Sequence, residues 1–227
     1  MYFWENYFFV TRSEENYIKT IFHLGDNSSD LVSTNAIAEQ MDTKPSSVTD
    51  MAKKLAEKGF VNYKKYQGVS LTDFGINTAL SIIRKHRLWE VFLVEKLDFS
   101  WDEVHEVAEQ LEHIKSEKLI DSIDALLDFP KYDPHGDPIP SKDGKFMERH
   151  KQLLSDMALK TEGVCVGVKD TSAAFLKFLD KNRIALGNTI KVLEKEDFDQ
   201  SLHIQMEGKE LHISHQIASN LYIKKND

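Results

Sequence analysis

Four side chains with nitrogen or oxygen ligand atoms follow one another at helical spacing near the middle of the chain. His105, Glu109, Glu112 and His113 stand at positions i, i+4, i+7 and i+8 of a helix predicted at 101–114. At 100° per residue, these side chains project within about 100° of one another. An imidazole–carboxylate face of this width suits Mn²⁺, Fe²⁺, Co²⁺ or Zn²⁺. By spacing alone, a solvated polar face is the more frequent explanation, because glutamate is common on helix surfaces.

A second histidine–glutamate pair lies upstream. His86 and Glu90 are one turn apart in a helix predicted at 82–97, which can face the first group. The stretch HEVAE at 105–109 differs from the HExxH pattern of zinc-dependent hydrolases, because its fifth residue is Glu109. A carboxylate-bridged metalloenzyme built on these helices stays an alternative, but it would need an open coordination position and a substrate pocket.

The elements upstream of these helices follow the order of a winged helix-turn-helix. Tyr17, Ile18 and Ile21 begin an apolar helical stripe that Ser13 can cap. The next predicted elements are a turn at 25–30, helices at 33–42 and 44–59, and strands at 60–66 and 69–75 joined by a tight turn at 67–68. Three helices followed by a hairpin, with a short gap between the second and third helices, predict a DNA-binding fold.

The third predicted helix carries candidate DNA contacts. Its first turns have small or hydrogen-bonding side chains that suit base edges and phosphates, and lysines on the wing can reach neighbouring phosphates. The candidates are Lys44, Pro45, Ser46, Ser47, Thr49, Asp50, Lys64 and Lys65. Residues 43–65 contain six lysines against Asp50 and Glu57, an excess of four positive charges in a chain of net charge −8. A winged helix that binds a protein partner stays an alternative.

Downstream, the pattern changes from helices to strands. The predicted helices are at 82–97, 101–114 and 116–127. Ser100 can start the second of them, with Glu103 three residues on. A segment at 130–144 holds four of the five prolines and predicts a linker or an ordered extended loop. The last ~75 residues, the size of a small domain, predict a small β-barrel-like module with a helix at 172–179.

Composition excludes several classes of protein. The proportions, 41% hydrophobic and 29% charged residues, are those of an ordinary globular protein. The net charge of −8 argues against indiscriminate coating of nucleic acid. The single cysteine, Cys165, excludes an intramolecular disulfide framework and a cysteine-rich zinc or iron–sulfur site, and it suits a reducing cytoplasm.

The aromatic opening MYFWENYFFV at 1–10 is too short to span a bilayer and lacks the features of a signal peptide. No other run approaches the length of a transmembrane helix. Two explanations of the opening stay open. Either translation begins at Val10 and the leader is an artefact of start-site choice, or the segment packs on the body of the protein.

Several ordered motifs resemble the diphtheria toxin repressor family of metal-dependent regulators, including its manganese-responsive branch. They are TRSEENYIKTIFHL, IAEQMDTKPSSVTDMAKKLAEKGFVNYKKYQGVSLTDFG, RKHRLWEVFL, VHEVAEQLEH and DPHGDPIP, and the resemblance covers nearly the whole chain. It implies a mainly α fold with a small β part: an N-terminal winged helix-turn-helix, a helical metal-binding and dimerisation domain, and a C-terminal SH3-like β-barrel. It also implies a cytoplasmic homodimer that requires Mn²⁺ or Fe²⁺ (Co²⁺ or Zn²⁺ in vitro), binds a palindromic double-stranded operator and represses metal-uptake genes.

Transferred residue by residue, the resemblance implies two metal sites in each subunit. The primary site would use Glu109, Glu112 and His113, with His86 beside or within it. The ancillary site would use His86, Glu90 and His105. A hard carboxylate at position 109, where the iron-responsive members carry cysteine, favours manganese without excluding iron.

The first helix departs from the family pattern at two positions. Asn16 stands where the family has Asp or Met, and it can still offer an amide oxygen. Lys19 replaces a further glutamate of the manganese branch. A protonated Lys19 cannot ligate and would repel a second cation, so one primary ion and a separate ancillary ion are expected. In the C-terminal module, Asp170 is a weak candidate ligand.

A switch in operator affinity is the expected mode of action, with no catalytic residue. Without metal, Glu109 and Glu112 would repel each other and the first helix would be loosely tied, whereas metal would fix the spacing of two recognition helices in a dimer. The competing hypothesis is a metal-independent winged-helix transcriptional regulator. The predicted parts are an aromatic leader at 1–10, a winged helix-turn-helix at 11–77, a helical metal-binding and dimerisation domain at 78–129, a proline-rich linker at 130–152 and an SH3-like module at 153–227.

Overall fold

The structure, a computed structural model, describes residues 10–25, 30–146 and 150–225 of the chain. The leader at 1–9 and most of the turn predicted at 25–30 lie outside these residues. The helices are α1 (Arg12–Leu24), α2 (Thr34–Gln40), α3 (Pro45–Glu57), α4 (Asp73–Leu97), α5 (Val104–Leu111), α6 (Glu117–Leu126), α7 (Ala173–Lys181) and α8 (His215–Ala218). The strands are β1 (Val61–Lys64), β2 (Gly68–Leu71), β3 (Gln152–Leu153), β4 (Glu162–Val168), β5 (Thr189–Lys195), β6 (Leu202–Met206), β7 (Lys209–Ile213) and β8 (Leu221–Lys225).

The chain forms two compact units, each with an apolar core. The first unit comprises Met1–His86, Glu109–Ile120 and Pro140–Lys145, and the second comprises Arg87–Ala108, Asp121–Ile139 and Phe146–Asp227. Ile18, Ile37 and Leu55 are fully buried in the core of the first unit. Leu176 and Ile204 are fully buried in the core of the second.

The N-cap of α1 lies two residues before the predicted cap, Ser13. Thr11 is the N-cap, and its hydroxyl accepts a hydrogen bond from the Glu14 amide while the Glu14 carboxylate accepts one from the Thr11 amide. This reciprocal pair is a capping box, which satisfies amides that have no partner within the helix. The prediction of Ser13 as the cap is therefore wrong. The predicted start of α2 is confirmed, since Ser33 accepts a hydrogen bond from the Ala36 amide.

The wing is shorter than predicted because α4 starts inside the second predicted strand. Strands β1 and β2 pair antiparallel, from Val61 opposite Leu71 to Lys64 opposite Gly68. The Thr72 hydroxyl accepts a hydrogen bond from the Gly75 amide and so starts α4 at once. A Cβ at Gly75 would lie 2.0 Å from the Phe60 carbonyl oxygen, so only glycine allows this approach of helix to wing.

Helix α5 is shorter at both ends than the helix predicted at 101–114. Residues 101–103 form a turn, and the Glu103 carboxylate accepts a hydrogen bond from the Ser100 amide. The helix ends at Leu111, so Glu112 and His113 lie in the turn that follows it rather than on its face. Equal steps of 100° per residue therefore do not apply to these two side chains. None of the helices in the described residues is long and apolar enough to cross a membrane.

The C-terminal module contains a six-stranded antiparallel sheet in the order β3-β8-β4-β5-β6-β7. Bulges interrupt the pairing between Cys165 and Gly167 in β4 and between Val192 and Glu194 in β5. The proline-rich segment is an ordered loop that lies on β4, where the Val168 amide donates to the His135 carbonyl. This contact fixes a histidine next to the sheet.

Candidate metal centre

Glu112 is the centre of a group of side chains in the first unit. Its carboxylate is fully buried, and Oε2 lies 2.7 Å from Nδ1 of His86 on α4. Glu109 Oε1 lies 4.0 Å from the same nitrogen. Burial alone would raise the pKa of Glu112, but the hydrogen bond with His86 and the charge of Lys19 outweigh it and lower the pKa. His86, Glu109 and Glu112 each offer one ligand atom within 4.8 Å of the others.

Lys19 on α1 joins the two carboxylates. Its Nζ lies 2.5 Å from Glu109 Oε1, 2.7 Å from Glu112 Oε1 and 2.8 Å from Glu112 Oε2. An ammonium group thus lies between Glu109 and Glu112 and offsets part of the repulsion expected between the two carboxylates. The same contacts attach α1 to this region.

Glu15 is a member of this group that the sequence did not reveal. Its Oε2 lies 2.5 Å from Nδ1 of His113, and both side chains are 6% exposed. Nε2 of His113 lies 3.9 Å from Glu112 Oε1. A carboxylate on one ring nitrogen fixes the histidine tautomer and leaves the other nitrogen as a metal ligand. The sequence does contain a signal for Glu15, because two adjacent glutamates, Glu14 and Glu15, stand at the start of an apolar helical stripe. Both are buried.

The residues fit a divalent ion with a preference for nitrogen and oxygen ligands. Oδ1 of Asn16 is buried and has no hydrogen-bond partner within the residues that the structure describes. An unpartnered buried amide oxygen is costly unless a further group binds it. Carboxylates, imidazoles and an amide oxygen are ligands typical of Mn²⁺ and Fe²⁺, and no thiolate is present among them.

A second group of titratable side chains lies in the second unit, around Glu90. Glu90 Oε1 lies 3.5 Å from Nδ1 of His105, which agrees with their pairing in the predicted ancillary site. Glu90 Oε2 lies 3.7 Å from Nδ1 of His135, and Asp133 completes a set of three ligand atoms within 4.8 Å of one another. His86 belongs to the first unit, and the complete ancillary set stays a prediction.

Asp133 and His135 come from the proline-rich loop, for which the sequence predicted a linker or an ordered extended loop but no ligand. His135 Nε2 donates to the Trp101 carbonyl at 2.8 Å, so Nδ1 faces Glu90 as the potential ligand. Burial raises the pKa of Asp133 to about 6, helped by the nearby Glu90 and Asp137 carboxylates. The candidate Asp170 is engaged elsewhere, because its Oδ1 accepts a hydrogen bond from the Ser172 amide at the start of α7.

The predicted DNA contacts lie on α3 and the wing. Five of the residues on and just before α3 are exposed: Lys44, Pro45, Ser46, Ser47 and Asp50. Thr49 is half-buried and donates its hydroxyl to the Pro45 carbonyl at 3.0 Å. Lys64 and Lys65 are exposed on the wing, where Lys65 Nζ lies 4.9 Å from the centre of the Tyr66 ring.

Glu14 connects α1 to α3. One of its oxygens, Oε1, lies 2.7 Å from Lys58 Nζ and 3.0 Å from Lys54 Nζ. The neighbouring residue, Glu15, binds His113 of the metal-site group. Consecutive residues of one helix therefore contact the candidate recognition helix and the candidate metal site.

Comparison with known proteins identifies the family. Three family models match successive parts of the chain: the iron dependent repressor N-terminal DNA binding domain over residues 10–69, the iron dependent repressor metal binding and dimerisation domain over 72–141, and the FeoA domain over 152–225. The transcriptional regulator MntR of Oceanobacillus iheyensis is 36% identical over 123 residues, which are 54% of this chain and 82% of that protein. The chain belongs to the iron-dependent (diphtheria toxin) repressor family.

Solved structures of the family share the fold over almost the whole chain. A manganese-dependent transcriptional repressor in complex with manganese has a TM-score of 0.83 and 33% identity, covering 94% of this chain and 100% of the other. ScaR with bound Zn²⁺ has a TM-score of 0.75 and 35% identity, covering 94% of this chain and 99% of the other. The predicted fold class is thereby confirmed, with its winged helix, central helices and SH3-like module.

Some relatives are much longer than the stretch they share. A probable metal transport system membrane protein of Chlamydia trachomatis is 35% identical over 150 residues, which are 63% of this chain and 33% of that protein. The iron-dependent repressor IdeR of Mycobacterium tuberculosis is 31% identical over 126 residues, 56% of this chain and 54% of that protein. Membership of a family of metal-dependent, DNA-binding transcriptional repressors favours that function over a metal-independent regulator and over a metalloenzyme.

Proposed function

We propose that this chain is a transcriptional repressor whose affinity for operator DNA depends on Mn²⁺ or Fe²⁺ bound by the first unit. The observation that carries the proposal is the fully buried Glu112 carboxylate, set between His86 and the turn that holds His113. A buried carboxylate close to two imidazoles is a nitrogen and oxygen ligand set of the kind that binds divalent metal ions. Its contact with Lys19 of α1 links the site to the winged helix.

The primary ion would be held by residues of the first unit. The proposed ligands are Glu109, Glu112 and His113, with His86 and the Asn16 amide oxygen. When bound, the ion supplies two positive charges that balance the carboxylates and engage the unpartnered Asn16 oxygen. Glu15 orients His113 by holding its Nδ1.

Transmission to DNA is proposed to run through α1. Glu14 holds Lys54 and Lys58 of α3, and Glu15 holds His113. A shift of α1 that accompanies ligation would therefore change the position of α3. The DNA-competent position is favoured only if the ion binds it more tightly than the alternative.

The DNA-facing surface is proposed to consist of the exposed start of α3 and the wing. Ser46, Ser47 and Asp50 would contact base edges, while Lys44 and Lys64 would contact phosphates. A homodimer would present two such helices to a palindromic operator in the cytoplasm, and the regulated genes would be those of metal uptake. No bond is made or broken in this function, so we propose no catalytic role.

A second ion is proposed in the second unit. Glu90, Asp133 and His135 are all buried and converge within 4.8 Å. His105 contacts the other oxygen of Glu90, at 3.5 Å, and is a further candidate ligand. This arrangement supports an ion that is separate from the primary one, with a ligand set that differs from the predicted ancillary set by Asp133 and His135.

The test is operator binding as a function of metal, measured by fluorescence anisotropy on the full chain. Affinity should rise at least tenfold with Mn²⁺ or Fe²⁺ over chelator-treated protein, a coupling of about 1.4 kcal/mol. Glu112→Gln should remove this dependence, whereas Glu106→Gln, at an exposed position of the preceding helix α5, should keep it. Equal affinity of the unaltered protein with and without metal would refute the proposal and favour metal-independent regulation.

A further inference from the structure

The Lys19 ammonium group lies between Glu109 and Glu112, the two carboxylates that the proposed primary site uses as ligands. The ammonium group makes hydrogen bonds to Glu109 and to both oxygens of Glu112, and the Lys19 side chain is only 12% exposed. It is thus a cation built into the protein, seated on the ligands of a proposed cation site. Lysine has three donors and no acceptor, so it cannot join the ligand set while it is protonated.

The charges of the buried group limit what can be added to it. Lys19 Nζ already forms ion pairs with Glu109 and Glu112. A divalent ion bound to the same two carboxylates while Lys19 stays would set three positive charges against two negative ones, whereas exchange of the ion for Lys19 sets two against two. Repulsion between the ion and the ammonium group at low solvent exposure therefore favours exchange over addition.

We propose that Lys19 is a built-in counter-ion that must leave Glu109 and Glu112 before they can ligate metal, and that it thereby sets the metal concentration at which the repressor responds. This inference rests on the proposed primary site and concerns its regulation. Asn16 lies three residues before Lys19, on a neighbouring part of the α1 surface. In the metal-free protein, Lys19 would hold α1 to the site. In the metal-bound protein, Asn16, about one helical turn away, would hold it instead.

Amine labelling tests the exchange directly. The full chain is treated briefly with an N-hydroxysuccinimide ester, with and without Mn²⁺, and modification of each lysine is measured by mass spectrometry. Lys19 should be protected without metal and labelled at least fivefold faster with it. Lys181, exposed on α7, is the reference and should not change. Equal or slower labelling of Lys19 with Mn²⁺ would overturn the exchange.

The affinity for Mn²⁺ tests whether Lys19 sets the metal concentration at which the site is filled. Titration calorimetry with Mn²⁺ should give a Kd at least tenfold lower for Lys19→Met than for the unaltered chain, because no ammonium has to leave. Lys19→Arg should keep the weaker affinity, and Lys181→Met is the control for loss of a surface charge. If Lys19→Met folds poorly, Lys19→Gln retains a donor and should still bind more tightly than the unaltered chain.

The outcomes separate the two proposals. If the unaltered chain and the Lys19 variants bind Mn²⁺ with the same Kd, the primary site stands and the counter-ion role is wrong. If none of them binds Mn²⁺, while the variants remain folded by circular dichroism, the proposed metal site itself is wrong and the inference fails with it. A lower Kd for Lys19→Met together with metal-dependent labelling supports both.

Discussion

Removal of the Glu14 carboxylate should destabilise the winged-helix part of the chain in a way that depends on pH. The side chain is fully buried, and its oxygens accept hydrogen bonds from Lys58 Nζ at 2.7 Å and from the Thr11 amide at 2.8 Å. Burial alone would raise the pKa of Glu14. The hydrogen bonds from Lys58, the Thr11 amide and Lys54 outweigh that effect and lower the pKa from 4.5 to about 2.

The lowered pKa of Glu14 sets the size of the stability change and the direction in which it varies with pH. A shift of ~2.5 pKa units at ~1.36 kcal/mol each corresponds to about 3 kcal/mol, fully present above pH 4.5 and lost as the pH falls toward 2. Lys54 and Lys58 are 51% and 30% exposed, so solvent screens part of the interaction. Glu14→Gln should therefore lower the free energy of unfolding by about 2–3 kcal/mol at pH 7 and by about 1 kcal/mol at pH 3.

Urea denaturation of the metal-free chain, followed by circular dichroism between pH 7 and pH 3, measures this difference. Glu39→Gln, on the exposed side of α2, is the matched control and should change stability by less than about 0.5 kcal/mol. A double-mutant cycle with Lys58→Met isolates the pair. A Glu14→Gln effect that is the same at pH 7 and pH 3, or no larger than that of the control, would refute the electrostatic reasoning.

Three further predictions concern other parts of the chain. Glu15→Gln should weaken Mn²⁺ binding by about 10- to 100-fold in calorimetry, because a neutral amide oxygen holds Nδ1 of His113 less strongly than the carboxylate does; an unchanged Kd would make Glu15 purely structural. Asp133→Asn should raise the Tm of the metal-free chain more at pH 7.5 than at pH 5, and not at pH 3, because the cost of the ionised carboxyl is complete above its raised pKa of about 6 and disappears only below the ordinary value of 3.8; the opposite pH trend would contradict the argument. Gly75→Ala should cost about 1–3 kcal/mol in urea denaturation, since its Cβ would meet the Phe60 carbonyl; a neutral result would mean that α4 can shift.

Local sequence signals were sufficient where one interaction decides the structure. The pattern at 33–42 and the apolar stripe with Ile18 and Ile21 predicted helices that are present. The helix and strand boundaries that the sequence predicted wrongly depend on tertiary contacts. Thr72 starts α4 inside a stretch of strand-forming residues, because Gly75 lets the helix approach Phe60, and such a contact leaves no local pattern.

The sequence predicted the types of residue in the candidate sites, but it missed some of the residues that belong to them. Glu112, His113 and His86 were proposed from spacing and resemblance, and the structure brings Glu112 close to both histidines. Glu15 and His135 were missed because each comes from a segment whose local pattern indicates another role, a helix cap region and a proline-rich loop. Partners that lie about 100 residues apart in sequence, such as Glu15 and His113, are visible only once the chain has folded.

Helix geometry explains how α1 can serve both the metal site and α3. At 100° per residue, Glu15 and Lys19 lie ~40° apart and Glu14 lies about 100° to one side of Glu15. The first two therefore face His113 and Glu112 while Glu14 faces Lys58. A shift of α1 as a rigid body moves every side chain on it, so a shift that changes the contacts on the first face also moves the Glu14 carboxylate against α3. Through such a shift the departure of Lys19 would be felt at the candidate recognition helix, although the Lys19 ammonium itself contacts Glu109 and Glu112, and this coupling depends on Glu14 being ionised.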